Sequence, residues 1–451
     1  MPDIVALPDE GLGNSSYIVD LGDDRLLVLD PVRDPRAYLR LAEKRGAEIA
    51  FSAETHLHAD FVSGSNELAA YGATVLAAAA SGLGYPHRPL GDRDEVDLGG
   101  LTLRAIATPG HTPEHLSYLL LDASRELAFF SGGVLIPGSV ARTDLIAPDE
   151  TESLARVLHR SLTTRILSLP DDLVVYPTHG TGTTFCAAGA GGERASTTIG
   201  DEKRSNPLLA ITDEDAFVDR LMAGYGSFPG YFLSLRDVNA RGPRIYGEQP
   251  PTLEPLPAEA VRDLIRRGAE VVDARPIEDF AAGHVTGSMS NRLRPAFATW
   301  LGWLVERDRR LVFVLNDDQD RDEIVRQCLK IGYENIAGEL AGGMRAWRAA
   351  GFDESRTGLV TPAGLAAAGG TVVDVRQSSE FDTGHVPGAK HVELGSLPHR
   401  TSELAGGGVI AMCGHGERAM TAASLLERAG NDDVSVLQGG PQDVPRLLAR
   451  T

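Results

Sequence analysis

A histidine-rich segment at residues 55–61 narrows the choice of fold sharply, because it reads Thr-His-Leu-His-Ala-Asp-Phe. It places His56, His58 and Asp60 at alternating positions, and imidazole and carboxylate groups at such spacing are typical ligands of Zn or Fe. The next position holds Phe61, whose apolar ring binds no metal. The segment therefore predicts a metal-binding loop in which one ligand is missing.

Two later histidine loops follow along the chain. Residues 108–115 read Thr-Pro-Gly-His-Thr-Pro-Glu-His, and residues 176–180 read Tyr-Pro-Thr-His-Gly. With the β-rich start of the chain, these loops resemble the metal loops of the metallo-β-lactamase superfamily, whose first motif is H-x-H-x-D-H. The resemblance implies an αββα sandwich over residues 1–242, while His115 is expected only to hold its loop. The candidate metal ligands that it implies are His56, His58, Asp60, His111 and His179.

Within that superfamily, this region most resembles the persulfide dioxygenases. The resemblance rests on the first histidine motif, on Arg-Thr-Asp-Leu at residues 142–145, and on residues 196–207, which read S-T-T-I-G-D-E-K-R-S-N-P. It implies a mononuclear iron held by His56, His111 and one carboxylate, with open positions for dioxygen and the substrate sulfur. The carboxylate would come from F-[ST]-G-D-x-L, but this chain reads F-S-G-G-V-L, with Gly133 at that position. The iron site is therefore predicted to be degenerate.

The histidines leave a second metal chemistry open. His56, His58 and His111 would form the three-histidine face that zinc hydrolases of this fold use. Asp60 could then orient or deprotonate a water, with His179 nearby. The site is therefore expected to hold one Zn or Fe ion, or none.

Two arginines are candidates for binding a glutathione carboxylate by the same resemblance. Arg142 matches a residue with that role in the dioxygenases, and Arg204 lies in the later matching segment. The alternative for either residue is an arginine at the surface or in an ion pair.

A proline-rich stretch and an internal repeat organise the rest of the chain. Residues 241–257 contain five prolines, which disfavour regular structure and indicate a linker. Beyond it, Asp-Ala-Arg-Pro-Ile-Glu-Asp-Phe at 273–280 and Gly-His-Val-Thr-Gly-Ser at 283–288 have counterparts about 100 residues later. The counterparts are Asp-Val-Arg-Gln-Ser-Ser-Glu-Phe at 374–381 and Gly-His-Val-Pro-Gly-Ala at 384–389. Short β-branched runs with amphipathic stretches between them predict two small α/β domains with central parallel sheets.

The two copies resemble rhodanese domains, over residues 256–355 and 359–451. The chemistry of that family needs a cysteine at the end of a strand, in a loop of backbone amides that precedes a helix. The later copy supplies Cys413 after the strand-like residues 409–412. Arg418 is the second candidate catalytic residue, because its guanidinium can bind an anionic sulfur donor or the loop itself. The candidate substrate-binding residues of the loop are Gly414, His415, Gly416 and Glu417.

The earlier copy lacks this chemistry. Asn316 stands where the cysteine should be, and an asparagine accepts no sulfane sulfur. That domain is expected to be catalytically silent and to serve packing, dimerisation or the shape of a substrate channel. Cys328 lies in an apolar helical pattern and is expected in the core. With Cys186, the odd and sparse set of three cysteines indicates reduced thiols.

Composition argues against several kinds of partner. A net charge of -20 argues against nucleic acid, because phosphate binding needs a basic face. Neither a signal peptide nor an apolar run of membrane-spanning length is visible, so the chain is expected to be cytoplasmic and without a membrane partner. The sequence leaves a homo-oligomer open.

These observations predict a sulfurtransferase of sulfide or persulfide metabolism that carries sulfane sulfur on Cys413. Its substrates would be a small-molecule persulfide, thiosulfate or a thiol. One alternative is a persulfide dioxygenase or a zinc-dependent hydrolase that uses a rearranged N-terminal metal site. The other is a non-catalytic sensor that binds thiols or polysulfides.

Overall fold

The chain forms two compact units. The computed structural model describes residues 2–180, 187, 196–404 and 407–444, so Cys186 lies outside the described residues. The first unit comprises Met1–Pro251 and Arg326–Gly332, and the second comprises Thr252–Val325 and Tyr333–Thr451. The finer domain boundaries expected from the sequence stay predictions.

The first unit is built on two six-stranded sheets. In spatial order the first sheet contains β1 (Ile4–Asp9), β2 (Asn14–Gly22), β3 (Arg25–Leu29), β4 (Glu48–Ala53), β5 (Thr74–Ala78) and β6 (Arg88–Leu90). The second contains β7 (Glu95–Asp97), β8 (Thr102–Ala107), β9 (Leu116–Asp122), β10 (Arg125–Gly132), β11 (Val174–Pro177) and β12 (Thr197–Thr198). Strands β3 to β6 pair in parallel, as do β10 and β11, and the other neighbours among the described strands of these two sheets are antiparallel.

Alternation along β2 shows how the sequence builds these layers. Tyr17 and Val19 face the core between the two sheets, where Tyr118 of β9 also lies. Ile18, between them in sequence, packs on the other face of its sheet with Tyr38. Because successive side chains of a strand point to opposite faces, an unbroken apolar run buries both faces of the sheet.

Six helices of the described chain accompany these sheets, and five of them pack on the outer faces. They are α1 (Arg36–Arg45), α2 (Ser65–Ala70), α3 (Thr151–Ser161), α4 (Ile199–Ser205), α5 (Glu214–Met222) and α6 (Phe232–Arg241). Tyr38 and Ala42 of α1 pack on the first sheet. Leu158 of α3 and Phe217 of α5 pack on the second with Phe129. The αββα sandwich predicted from the sequence is therefore confirmed.

The second unit contains two five-stranded parallel sheets. In spatial order the first contains β13 (Pro255–Leu256), β18 (Ile336–Leu340), β17 (Leu311–Val314), β14 (Glu270–Asp273) and β16 (Met289–Ser290). The second contains β20 (Gly358–Val360), β24 (Val434–Leu437), β23 (Val409–Met412), β21 (Thr371–Asp374) and β22 (Lys390–His391). A short antiparallel pair joins β15 (His284–Val285) to β19 (Glu354–Ser355). The two parallel sheets share one strand order, which confirms the predicted pair of α/β copies.

Eight helices of the described chain accompany these sheets, and one of them belongs to the first unit from Arg326 onward. They are α7 (Ala258–Arg266), α8 (Ile277–Ala282), α9 (Phe297–Leu304), α10 (Arg321–Lys330), α11 (Gly343–Ala349), α12 (Leu365–Ala368), α13 (Ser378–Thr383) and α14 (Glu417–Arg428). Within the part of the chain that the structure describes, no helix has both the length and the apolar character to span a membrane.

The repeated sequence motifs make the same contacts in both copies. In each, the motif arginine pairs with the aspartate two residues earlier, and the motif histidine stacks on the phenylalanine four residues earlier. The pairs are Arg275 with Asp273, Arg376 with Asp374, His284 with Phe280, and His385 with Phe381. The Nε to Oδ1 distance is 2.9 Å in both copies, and the ring centroids lie 3.7 and 3.8 Å apart. These motif residues therefore build the scaffold of each copy.

Candidate functional site

The three histidine loops leave the ends of strands and bring their imidazoles together. His56 follows β4, His111 follows β8 and His179 follows β11. All three side chains are buried, and each offers a ring nitrogen within 4.8 Å of those of the other two. His58 and Asp60 form a second such group with His179. The loops therefore converge on one buried cluster.

Hydrogen bonds fix the protonated nitrogen in two of these rings. The carbonyl oxygen of Arg142 lies 2.7 Å from His111 Nδ1, and since a carbonyl only accepts, Nδ1 carries the proton. Thr55 Oγ1 donates to Asp30 Oδ2 at 2.8 Å and therefore accepts from His56 Nδ1, also at 2.8 Å. In both rings Nε2 is consequently unprotonated and keeps its lone pair.

His179 supplies a third imidazole of the same kind. Its Nδ1 lies 3.4 Å from Asp60 Oδ2, and its Nε2 lies 3.3 Å from His56 Nε2. A proton on Nδ1, facing the carboxylate, leaves Nε2 as a ligand atom. Burial, and after it the neighbouring imidazoles, hold the pKa of His56 and of His111 well below the ordinary value. His56 and His111 are therefore neutral imidazoles, and each keeps an Nε2 lone pair that a cation can bind.

His58 belongs to a different group. Its Nε2 donates to Glu54 Oε2 at 3.0 Å and lies 3.3 Å from Asp30 Oδ1. Burial opposes a charge on this ring, but the two carboxylates outweigh burial and raise the pKa of His58 to about 10. The zinc face expected from His56, His58 and His111 is therefore not the group that forms, because the second of these rings is held in a buried ion pair.

Gly133 occupies the position expected for the iron carboxylate. A Cβ on this residue would lie 2.7 Å from His111 Cδ2 and 3.0 Å from Ala141 Cβ. Its N–H donates to His115 Nε2 at 3.0 Å, and burial lowers the pKa of His115 to about 4, which keeps that nitrogen an acceptor. His115 thus holds the loop. The expected iron triad of His56, His111 and a carboxylate at position 133 therefore does not form, since that position offers neither a ligand nor room for one.

Both arginines expected to bind a glutathione carboxylate are paired within the chain. Arg142 is 2% exposed, its Nε donates to Asp144 Oδ1 at 2.6 Å, and its Nη2 donates to the carbonyl oxygen of Gly226 at 2.8 Å. Arg204 pairs with Asp201 at 2.6 Å at the surface. The ion-pair alternative therefore describes both residues.

Cys413 lies between β23 and α14, in a loop that presents an amide to its sulfur. Its side chain is 1% exposed, and the N–H of Gly416 donates to Sγ at 3.1 Å. Gly416 has a φ of 103°, a left-handed conformation that favours glycine and turns this N–H toward the sulfur. The positive end of α14 adjoins the thiol at Glu417, while His415 is exposed on the loop. The sulfur of Cys413 therefore has a backbone donor and a helix N-terminus beside it.

Arg418 braces this loop against a neighbouring helix. Its two Nη atoms donate to Glu380 of α13 at 2.6 and 2.8 Å, a bidentate ion pair. Burial lowers the pKa of Arg418, but Glu380 and Cys413 outweigh burial and raise it. In this structure the guanidinium binds a carboxylate, and its expected role as a donor to an anionic substrate stays a prediction.

The equivalent loop of the earlier copy is closed by its own side chains. Asn316 Nδ2 donates to Asp279 Oδ2 at 2.6 Å. Arg321 Nη1 donates to the carbonyl oxygens of Asn316 at 2.8 Å and Gln319 at 2.7 Å. In the earlier copy the loop thus directs backbone carbonyls toward the guanidinium of Arg321. In the later copy the equivalent loop directs a backbone amide toward the sulfur of Cys413. Cys328 is buried in α10, and burial raises the pKa of its thiol, as expected of a core residue.

Comparison with known proteins agrees with this architecture. A family model for the rhodanese-like domain matches residues 257–350 and 363–444. Persulfide dioxygenase ETHE1 of Homo sapiens is 30% identical over 206 residues, which are 44% of this chain and 73% of that protein. A hydroxyacylglutathione hydrolase of a Methylobacterium species is 32% identical over 232 residues, 46% of this chain and 86% of the relative. The crystal structure of a metallo-β-lactamase from Staphylococcus aureus matches with a TM-score of 0.66 at 26% identity, covering 75% of this chain and 99% of that one.

The chain belongs to the metallo-β-lactamase-fold family. Its C-terminal part carries rhodanese-like domains, so both resemblances read from the sequence are confirmed. The match to the staphylococcal metallo-β-lactamase structure covers 75% of this chain, so the likeness extends past the first unit.

A helix far along the sequence holds the histidine loop of this metallo-β-lactamase-fold protein. Asn239 Nδ2, from α6, donates to the carbonyl oxygens of His58 at 2.8 Å and Phe61 at 2.9 Å. Tyr231, which precedes α6, donates to the carbonyl oxygen of Asp60 at 2.8 Å across 171 residues of sequence. The sequence motifs did not reveal Asn239 and Tyr231. The sequence around a polar side chain does not show which backbone carbonyl, far away along the chain, it will bind in the fold.

Proposed function

We propose that the protein is a sulfurtransferase that carries sulfane sulfur on Cys413. The observation that carries the proposal is the 3.1 Å hydrogen bond from the Gly416 amide to Cys413 Sγ, at the start of the 12-residue helix α14. An amide and a helix N-terminus beside a sulfur stabilise its thiolate and the anionic persulfide that it forms. The rhodanese-like match over residues 363–444 and the persulfide dioxygenase relative both support sulfur chemistry.

The proposed reaction is two successive displacements at sulfur. The Cys413 thiolate first attacks the sulfane sulfur of a donor such as thiosulfate, the donor's S–S bond breaks, and sulfite leaves with the bonding electron pair. An acceptor thiolate or cyanide then attacks the outer sulfur of the resulting persulfide, and the Cys413 thiolate leaves. Neither step needs an oxidant, since one S–S bond is exchanged for another bond to the same sulfur.

The first prediction tests this assignment in the full-length protein. The wild type is expected to produce thiocyanate from thiosulfate and cyanide, whereas Cys413→Ser is expected to produce none above background, because the hydroxyl forms no persulfide. Mass spectrometry after thiosulfate treatment should show one added sulfur atom on the Cys413 peptide. Cys328→Ala, which removes the buried thiol of α10, is the matched control and should keep turnover.

Equal rates for the wild type and Cys413→Ser would reject the proposal. Stable persulfidation of Cys413 without thiocyanate production would reject it too, in favour of the sensor alternative.

We propose as a second candidate a metal centre held by His56, His111 and His179. It is favoured by one specific observation: three buried imidazoles offer ring nitrogens within 4.8 Å of one another, and in His56 and His111 the Nδ1 hydrogen bond leaves Nε2 unprotonated. Imidazole ligands suit Zn and Fe among other ions, and a bound ion there would supply Lewis acidity. Asp60 orients His179 through Nδ1 in this arrangement. Zinc would support the hydrolase alternative, and iron would support a dioxygenase with a rearranged ligand set.

The second prediction concerns metal content. Protein purified without added metal is expected to contain Zn or Fe near one per chain by elemental analysis, and His179→Ala is expected to lose most of it, because two imidazoles hold an ion weakly. His87→Ala is the matched control, since its ring hydrogen-bonds to the nearby carbonyl oxygen of Tyr85 and lies outside the histidine cluster. Wild-type protein that takes up no stoichiometric metal, even after Zn(II) is supplied, would rule the centre out.

A further inference from the structure

The end of β16 and the residues that follow it lie against α14, the helix that begins beside Cys413. The N–H of Ser290 donates to Ser424 Oγ of α14 at 3.1 Å. Two residues further on, Arg292 Nη1 lies 3.3 Å from Glu417 Oε1, at the first turn of that helix. The earlier copy, in which Asn316 replaces the cysteine and which we call the silent copy, therefore contacts α14, including its first residue, Glu417, beside the loop that holds Cys413.

The silent copy also contacts the loop itself. A Cβ on Gly416 would lie 2.9 Å from Ile277 Cδ1 of α8. The N–H of Gly416 donates to Cys413 Sγ. Ile277 of the silent copy therefore contacts the residue that hydrogen-bonds to the sulfur. The surroundings of the thiol are thus built by both copies.

Arg294 differs from the other arginines at this place. Arg292 pairs with Glu417, and Arg418 pairs with Glu380. In the described part of the chain, the side chain of Arg294 makes neither an ion pair nor a hydrogen bond. It is therefore a guanidinium whose donors are not already bound to a carboxylate.

The surroundings of Arg294 favour an anionic ligand. The residue is half-buried, and burial is the largest of the causes that lower its pKa. Glu417 and Cys413 raise this pKa, whereas the positive charges of Arg418 and Arg292 lower it further. A partly desolvated cation without hydrogen-bond partners is costly, and an anion that accepts from its donors removes part of that cost.

We propose that Arg294, supplied by the silent copy, binds the oxyanion end of a sulfonate-type sulfane donor such as thiosulfate and so determines the specificity of the Cys413 site. This inference rests on the proposed sulfur transfer at Cys413. In it, the outer sulfur of thiosulfate meets the Cys413 thiolate while the oxygens on the other sulfur accept from Arg294. The sulfite that leaves carries those oxygens, so the same guanidinium holds the leaving group.

The third prediction compares two donors in the full-length protein. Arg294→Ala is expected to raise KM for thiosulfate about 10-fold or more, the usual effect of losing a charge-assisted hydrogen-bonded contact, with kcat within about 2-fold. Arg294→Lys should restore part of this loss, because it keeps the charge but not the planar fork. For the persulfide of 2-mercaptoethanol, which bears no oxyanion, KM of Arg294→Ala should stay within about 2-fold of wild type.

The matched control is Arg266→Ala, which removes an exposed arginine of the same copy that pairs with Asp263 at 3.6 Å. It should leave both KM values unchanged. Circular dichroism and thermal unfolding of each variant identify any that fails to fold, and Arg294→Lys then serves in its place.

The outcomes separate the two proposals. A wild type whose Cys413 takes up no sulfur from either donor would reject the sulfur-transfer proposal itself. A wild type that turns over thiosulfate while Arg294→Ala keeps its KM would overturn the role of Arg294 alone. An equal rise in KM for both donors would overturn it as well, because the residue would then support the loop rather than recognise the oxyanion.

Discussion

At Gly133 the backbone packs so closely against His111 that a β-carbon would lie 2.7 Å from the imidazole ring. In a dioxygenase-like site this position would deliver the anionic ligand of iron. Here its N–H donates to His115, and His179 is the third group near the two other histidines of the cluster. The first coordination sphere available to an ion is then neutral, and a neutral imidazole set discriminates less in favour of iron than a set with a carboxylate.

The fourth prediction follows from this packing. Gly133→Asp is expected to lower the free energy of unfolding by about 1–3 kcal/mol, the usual cost of inserting atoms into a filled interior, and to bind no more iron than the wild type. Urea unfolding and elemental analysis after Fe(II) reconstitution measure the two effects. Gly230→Asp is the control, because that glycine is exposed with open space around its Cβ position. The prediction would be wrong if the Gly133→Asp protein had wild-type stability and took up one iron. His111 would then have moved aside, and residue 133 could still act as an iron ligand.

At the level of strands and helices, most of the fold could be predicted from the sequence, because the patterns that indicate strands and helices are periodic and local. The apolar run of β2 buries both faces of its sheet, and the β-branched runs of β14 and β21 form central parallel strands. The histidine motifs lie at strand ends, so the convergence of His56, His111 and His179 could be anticipated from the order of the loops. Cys413 is found likewise, between a strand and a helix.

The partners of these side chains could not be predicted, because they depend on tertiary packing. His58 has the same motif context as His56, yet Glu54 and Asp30 turn it into an ion-paired cation. Arg418 is bound by Glu380 across 38 residues of sequence. A motif fixes the residue type and its place on the backbone, whereas the choice among several nearby carboxylates is made only when the elements pack.

On the scale of the whole molecule, a net charge of -20 opposes the approach of an anionic donor such as thiosulfate. Mobile ions screen that repulsion beyond about 8 Å at physiological ionic strength, so the local charges at the sulfur decide binding. Among the described residues, Arg294 and Arg418 are two arginines that interact electrostatically with Cys413. An acidic protein can therefore bind an anionic substrate, provided that the positive charges that bind the substrate lie in a small, partly desolvated site.

The fifth prediction is that the two candidate sites act independently. The histidine cluster lies in the first unit and Cys413 in the second, and in the described residues their side chains share no hydrogen-bond partner. His111→Ala is therefore expected to reduce metal content while kcat/KM for thiosulfate and cyanide stays within about 2-fold, since substitutions without shared partners behave additively. In the reciprocal experiment, Cys413→Ser should leave metal content unchanged. A loss of sulfur transfer in His111→Ala that parallels its loss of metal, with thermal unfolding still cooperative, would mean that the first unit controls the chemistry of the second.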